Sequence, residues 1–326
     1  MKIAITADVH LHSKEVYSER YNALVNILDQ MITENIKILV IAGDLFDKES
    51  QNYSEFDELC KLAKYNEIKI YIIPGNHDPG INSKSFVANN VQIFTKPAIL
   101  QLGEPALDFF FLPYMLDKSM GEIITKYKND LSEQWVLIGH GDYLSGILAP
   151  NPYEPGIYMP LSRADVELFN PIKVILGHIH KKMDTGRIYY VGSPCGLNIN
   201  ETGKRSFLIV DTNNLDISTK TVDTDHIFFN ETLIALPTIK ESDYIKNKIS
   251  DMIKKWEISK IDIPKVRIRL KVKGYTSDKG KLLSIIKDSF TNFAFYEGEE
   301  PDLTEVSIFK DPERIQIVEK LKEEIE

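Results

Sequence analysis

Residues 36–47 read Ile36-Lys37-Ile38-Leu39-Val40-Ile41-Ala42-Gly43-Asp44-Leu45-Phe46-Asp47, a short aliphatic run closed by glycine and a carboxylate. An apolar run of this length, bounded by a turn signal, is the pattern of a strand buried on both faces, as in a parallel sheet. Similar runs occupy 2–7, 68–73, 135–138 and 172–176, and stretches of helical period at 21–34 and 56–65 separate the first three. Strand and helix in alternation predict a parallel-rich α/β core. Further apolar runs at 109–112, 187–191 and 207–210 lack intervening helices and extend or face the first sheet. The expected closure is a sandwich of two sheets flanked by helices.

Five of these strands end in residues of metal-binding type: Asp8-Val9-His10, Gly43-Asp44, Gly75-Asn76-His77-Asp78, Gly139-His140 and Gly177-His178-Ile179-His180. Open α/β sheets bind ligands beyond the carboxyl ends of their strands, so parallel order brings all five tips to one crevice. Glycine directly before the polar residues permits a sharp turn and a close backbone approach. His10, His140, His178 and His180 with Asp8, Asp44 and Asn76 make a nitrogen and oxygen donor set without thiolate, suited to ions such as Mn, Fe, Zn or Ni. Seven donors exceed what one ion takes from protein. Two ions about 3.5–4 Å apart, sharing a carboxylate, would use them all and clamp both oxygens of an in-line displacement, which points to phosphate ester hydrolysis.

The chain has 326 residues and only two cysteines, Cys60 and Cys195, which excludes a disulfide framework or a thiolate site and favours a reducing compartment. The first apolar run is too short for a signal peptide, and no stretch approaches the roughly 18 apolar residues of a membrane span, so the expected location is the cytoplasm. A formal net charge of −9 argues against a protein that coats nucleic acid by bulk positive charge. The average conceals a patch: residues 240–290 carry +7 and the remainder −16. That basic stretch lies where the pattern changes, with strands expected at 227–236 and 266–272 and helices at 239–256 and 279–289. The predicted division is a first domain at 1–223, a smaller α+β domain at 224–300, and an acidic helical tail at 301–326, in which Val318, Leu321 and Ile325 share a face. Alternation of Lys265, Arg267, Arg269, Lys271 and Lys273 places five cations on one strand face, a spacing that suits a phosphate backbone.

Taken together, Asp-x-His at 8–10, Gly-Asp-Leu-Phe-Asp at 43–47, Gly-Asn-His-Asp at 75–78, Gly-His at 139–140 and Gly-His-Ile-His at 177–180 resemble the signature of the calcineurin-like metallophosphoesterases. The resemblance implies a four-layer αββα sandwich. It assigns one ion to Asp8, His10 and His180 and the other to Asn76, His140 and His178, with Asp44 bridging. His77 matches the family's histidine that is not a ligand and acts as general acid or stabiliser of transition-state charge, with Asp47 and Asp78 as orienting groups.

Within the superfamily the chain is similar to the SbcD-type nuclease subunits of complexes that process double-strand breaks. Carrying that likeness are Phe46-Asp47, Pro74 to Asp78, Gly192-Ser193-Pro194-Cys195-Gly196-Leu197, Asn200-Glu201-Thr202-Gly203-Lys204-Arg205 and the basic appendage in the place of a DNA-capping domain. It implies two Mn²⁺ ions, 3′-to-5′ exonuclease and single-strand endonuclease action on DNA, and an SbcC-type ATPase partner. One departure is the single short helix after the appendage, where the family carries a linker and a helical dock. That helix has three roles open to it: a partner dock, a homodimer contact, or a capping helix of the fold. Two other functions compete, a small-molecule phosphodiesterase or nucleotidase of the same superfamily, and a scaffold without catalysis that binds DNA or an ATPase. Complete ligand motifs argue against the scaffold.

Overall fold

The computed structural model describes residues 1–48, 52–145, 155–309 and 311. The chain forms two compact units, one of residues 1–195 with 204–225, the other of 196–203 with 226 onward. Among the described residues no helix is long and apolar enough to cross a membrane.

In chain order the first unit contains β1 (Lys2–Thr6), α1 (Ser18–Thr33), β2 (Ile38–Ala42), α2 (Tyr53–Lys61), β3 (Lys69–Ile73), β4 (Val91–Ile93), β5 (Ala98–Leu102), β6 (Leu107–Leu112), α3 (Met120–Tyr127), β7 (Trp135–His140), β8 (Tyr143–Leu144), β9 (Leu161–Ser162), α4 (Arg163–Phe169), β10 (Lys173–Gly177), β11 (Met183–Asp184), β12 (Ile188–Tyr190), β13 (Ser206–Asp211) and β14 (Ile217–Thr221). Two six-stranded sheets result, ordered β14-β13-β1-β2-β3-β4 and β11-β12-β10-β7-β6-β5. The runs β1 to β4 and β6, β7, β10, β12 are parallel within their sheets, so the tips of the five donor-bearing strands are carboxyl ends.

Alternation within each strand explains why these segments read as continuous apolar runs. Ile3, Ile5, Val40 and Ile73 of the first sheet form one core with Phe109, Phe111, Val136, Ile138 and Ile175 of the second. The residues between them point the other way: Phe110, Leu137, Val174 and Leu176 pack with Ile123 and Ile124 of α3 and Val166 of α4. On the first sheet, Ala4, Leu39, Ile41, Ile70 and Ile72 are fully buried, as is the apolar stripe Leu24, Ile27, Leu28 and Met31 of α1. Helix, sheet, sheet and helix make four layers, each strand covered on both faces.

The second unit contains β15 (Ile227–Ala235), α5 (Glu241–Lys255), β16 (Val266–Thr276), α6 (Lys279–Ser289), β17 (Ala294–Phe295) and β18 (Asp302–Ile308). β16 lies at the centre, with β15 on one side and β17 and β18 on the other, all parallel to it. One face is closed by the two helices: Val266, Ile268, Leu270 and Val272 pack with Ile245 and Ile249 of α5 and Leu282 and Ile286 of α6. Trp256 stacks on Phe229 at 4.2 Å between ring centroids and donates its indole N–H to Glu231.

The tail expected from residue 301 differs in its first part. Residues Asp302–Ile308 are a strand, because Val306 completes the apolar core beside β16 and the backbone of this segment extends the sheet. The part of that tail with Val318, Leu321 and Ile325 lies outside the described residues. The segment 196–203, expected in the first domain, folds with the second unit, where Gly203 donates to the carbonyl of Phe228.

Candidate metal centre

The loops after β1 and β2 are laced together beyond the sheet. Asp8 N–H donates to the carbonyl of Gly43, His10 N–H to that of Asp44, Leu11 N–H to that of Leu45, and Asp47 N–H back to that of Leu11. The loop after β3 is tied to them by Asp78, whose carboxylate accepts from Gly75 at 2.8 Å and from Phe46 at 3.1 Å. Hydrogen bonds also join the tips of the two sheets, among them His178 N–H donating to Asp8 Oδ1 at 2.8 Å and the His140 ring 2.9 Å from the carbonyl of Ala42 through Nδ1.

These ties hold four donor residues in the left-handed backbone region: Asp8 (φ 52°), His10 (φ 50°), Asp44 (φ 51°) and His178 (φ 92°). For residues with a Cβ such conformations persist only where the surroundings over-determine them, and they concentrate at functional sites. Gly43, at φ 92°, shows why one tip begins with glycine: a Cβ there would lie 2.0 Å from Nδ1 of His140.

All seven donors predicted from sequence converge. His10 and His180 bring their Nε2 atoms within 3.1 Å of each other, and the donor atoms of Asp8, His10 and His180 all lie within 4.8 Å. On the other side Asn76 Oδ1 lies 2.9 Å from Nε2 of His140 and 3.1 Å from Nδ1 of His178. Asp44 stands between the two groups. Its Oδ1 accepts from His77 N–H at 2.8 Å, while Oδ2 lies 3.2 Å from Nε2 of His140 and 3.7 Å from Nε2 of His10.

The chemistry of this donor set fits cations. With its Nδ1 hydrogen given to the carbonyl of Ala42, His140 turns Nε2 toward two acceptor oxygens, and either a proton or a metal cation reconciles the three. Asp8 Oδ2 is buried and, among the described residues, has no hydrogen-bond partner. Such an atom costs free energy unless a cation meets it. The titration of the groups tells the same story. Burial lifts Asp8 to about 6 against the pull of His180 and His140, and burial with repulsion from Asp44 lifts Asp78 to about 7. Burial pushes His10 down to about 3 despite Asp44. Burial would lower His140 as well, but Asp44 and Asp8 outweigh it and raise the imidazole to about 9. Burial would likewise raise Asp44, yet the histidines, His140 first, hold it well below the usual carboxylate range. The cluster is short of positive charge.

His77 sits at the edge of this group, its ring 4.5 Å from that of His10 and its Nδ1 3.9 Å from Asp47 Oδ1. The neighbouring His77 imidazole, and then Arg20, keep Asp47 well below the usual carboxylate range. His12 is not part of the donor group; its Nδ1 accepts from the backbone of Ser13.

Two arginines outside the five donor motifs hold the first half of the site from behind. Arg20, on α1, donates to the carbonyl of His10 and to Asp47 at 3.1 Å. Arg205 donates to the carbonyls of His180 and Ser193. Both are buried charges, 7% and 8% exposed, and each grips the backbone of a histidine whose ring faces its counterpart. Arg205→Ala is expected to lower affinity for Mn²⁺ by about 10–100-fold, as loss of an orienting partner does. Titration calorimetry checks this, and unchanged affinity would show that His180 keeps its place unaided. Asp142 lies outside the motifs too: its Oδ1 is 3.6 Å from Nε2 of His178, and it accepts from Tyr158 N–H at 2.6 Å.

The second set of candidates lies in the other unit and is only partly assembled as expected. Arg267, Arg269, Lys271 and Lys273 alternate along β16 on the face away from the helices, but Lys265 belongs to the 3₁₀ turn Ile263–Lys265 that precedes the strand. Arg269 forms a two-point pair with Glu299 at 2.8 and 2.5 Å. Lys271 and Lys273 share Glu305. Arg269, Lys271 and Lys273 are therefore paired with two carboxylates, which the local sequence does not show.

A double sheet with aspartate, histidine and asparagine donors gathered at its strand tips defines a metal-dependent phosphoester hydrolase. The model of the calcineurin-like phosphoesterases matches residues 1–195, and the chain belongs to this family, whose members bind a dinuclear metal site. It is 25% identical to the SbcD chain of the SbcCD nuclease from Staphylococcus epidermidis, over 78% of this chain and 74% of that one. The protein of the same name from Staphylococcus saprophyticus is 26% identical, with 68% of each chain covered. The uncharacterized metallophosphoesterase YhaO of Bacillus subtilis is 23% identical, over 65% of this chain and 57% of that protein.

Proposed function

We propose that the chain is a Mn²⁺-dependent DNA nuclease component of a cytoplasmic repair or recombination complex, cutting phosphodiesters as a 3′-to-5′ exonuclease and a single-strand endonuclease, with an SbcC-type ATPase as its partner. Residues 224–300 would serve as a DNA-capping domain, and a homodimer contact would fall to the tail. The observation that carries this reading is the seven-donor cluster at five strand tips in a chain related over most of its length to nuclease subunits.

Bound by these residues, a pair of divalent ions supplies Lewis acidity to the phosphoryl oxygens and acidifies water into a nucleophile at neutral pH. Asp8, His10 and His180 would hold one ion, Asn76, His140 and His178 the other, and Asp44, whose Oδ2 lies near both His140 and His10, would be shared between them. Asp47, kept anionic beside His77, orients that imidazole at the rim. There it can hand a proton to the departing 3′ oxygen.

The test is hydrolysis by the purified chain with Mn²⁺ of linear duplex DNA, single-stranded DNA and bis-p-nitrophenyl phosphate. Degradation of DNA supports the reading. Cleavage of the small diester alone favours the second reading, a small-molecule phosphodiesterase, for which the compensation of the β16 cations by Glu299 and Glu305 speaks.

His77→Gln separates the roles of ligand and acid. Mn²⁺ affinity is expected to stay within about twofold, while DNA turnover falls by about 10²–10⁴-fold, the usual worth of a positioned acid. Turnover of bis-p-nitrophenyl phosphate should fall far less, since its leaving group departs without a proton. Equal losses on both substrates would overturn the acid role.

A further inference from the structure

The open face of the second unit holds its cations in a row. Arg267, Arg269, Lys271 and Lys273 stand on alternate positions of β16, about 6.6 Å apart by the rise of a parallel strand. That is on the order of the separation between successive phosphates along one extended strand, so a single strand laid along the row would meet about one cation per nucleotide. Beside them in register on β15 stand Phe228, Asn230, Thr232 and Ile234; Phe228 is buried, Ile234 is an exposed aliphatic side chain, and Asn230 and Thr232 are exposed and uncharged. The stretch from Arg269 to Lys273 is thus accessible and mostly polar, and carboxylates already stand on it.

Their arrival there has a structural cause. β18 runs in register with β16 at Lys271 opposite Asp302, and regular pairing would bring Thr304 opposite Lys273. The register instead slips, and Glu305 stands opposite Lys273. The slip is pinned by Asp302, whose Oδ1 accepts from both the N–H and the hydroxyl of Thr304 at 2.9 and 2.6 Å. A bulge of this kind re-aims a side chain. Val306 keeps its place in the core, while the Glu305 carboxylate is shared by Lys271 and Lys273, one oxygen to each. Further along the row Glu299 clasps the Arg269 guanidinium through both oxygens, and Tyr296 lies beneath it with the guanidinium carbon 5.0 Å from the ring centroid. A carboxylate forked onto arginine, and another divided between two lysines, reproduce the contacts that a phosphate makes. The side chains remain accessible, from 37% to 45% exposed, so the pairs are weak and exchangeable.

We propose that Glu299 and Glu305 stand in for the phosphates of a nucleic acid strand on this face of β16 and compete with it for Arg269, Lys271 and Lys273. This rests on the reading that the second unit grips DNA, and adds that the grip is set by displacement of the chain's own carboxylates. Bound strand releases Glu299 and Glu305, and free protein keeps two of the row's four positive charges offset.

The experiment measures binding of a labelled single-stranded oligothymidylate of 20 nucleotides to the full chain in EDTA, by fluorescence anisotropy over a series of salt concentrations. Three proteins are compared: the parent chain, the double variant E299Q/E305Q and the double variant K271Q/K273Q, each with a thermal melt to establish that it is folded. The glutamate variant is expected to bind about tenfold more tightly at low salt, and its slope of log affinity against log salt should steepen by up to about 2, since three released cations each contribute about 0.7 for a single strand. The lysine variant should bind more weakly with a shallower slope. If K271Q/K273Q weakens binding but E299Q/E305Q leaves affinity and slope unchanged, the competition is wrong while the grip stands. If neither pair changes binding, the row does not hold the strand and both ideas fall.

Discussion

Asp44→Ala is expected to abolish phosphodiester hydrolysis and to empty both halves of the metal centre together. This one carboxylate reaches both donor groups, with Oδ2 at 3.2 Å from His140 and 3.7 Å from His10, while Oδ1 fixes the loop of His77. Its loss removes the shared ligand and several kcal/mol of transition-state charge stabilisation, a fall of at least about 10³-fold in kcat. Metal content after dialysis and turnover of bis-p-nitrophenyl phosphate measure the two effects side by side. In the metal-free variant His140 also loses the partner that holds its imidazole at about 9, so its titration in NMR should move to lower pH. A variant that retained two ions, or normal turnover, would remove Asp44 from the bridging position.

Gly43→Ala is expected to damage stability and the site at once. The added Cβ would lie 2.0 Å from Nδ1 and 2.5 Å from Cγ of the buried His140 ring, at a backbone φ of 92°. Left-handed strain costs about 1–2 kcal/mol and overpacking about 1–3 kcal/mol. A total near 3 kcal/mol corresponds to a fall in Tm of about 6–12 °C for a unit of this size. The ring can escape only by giving up its contact with the carbonyl of Ala42, so Mn²⁺ affinity should fall as well. Gly186→Ala is the control: that glycine also has a positive φ, 81°, but its Cβ would meet nothing within 4 Å. Similar melting of the two variants would show that strain alone, and not the approach of His140, explains the glycine.

The strands and donors of the first unit are legible in the sequence because their signals are local. A strand covered on both faces must be apolar at every position, and a donor at its carboxyl end must follow directly, so residues 38–44 carry both statements in one run. The shorter elements are not legible in this way. α4 spans seven residues, too few for a period, and announces itself only through its caps, the Ser162 and Asp165 box and left-handed Asn170. α2 occupies Tyr53–Lys61 rather than 56–65, since apolar spacing locates a buried stripe better than it locates helix ends.

Residues adjacent in the chain carry the strand tips, the polar side chains that follow them and the class of chemistry those side chains suit. Folding of the two sheets decides which of those side chains face one another, that Asp44 looks toward both groups, and that Arg20 and Arg205 brace the carbonyls of His10 and His180. Folding of the second unit decides that the cation row on β16 is met by Glu299 and Glu305. The reason is the reach of each signal. Periodicity records whether a side chain is buried, whereas His10 meeting His180 across 170 residues, or a carboxylate turned by a bulge onto two lysines, depends on the packing of sheets and the register of strands.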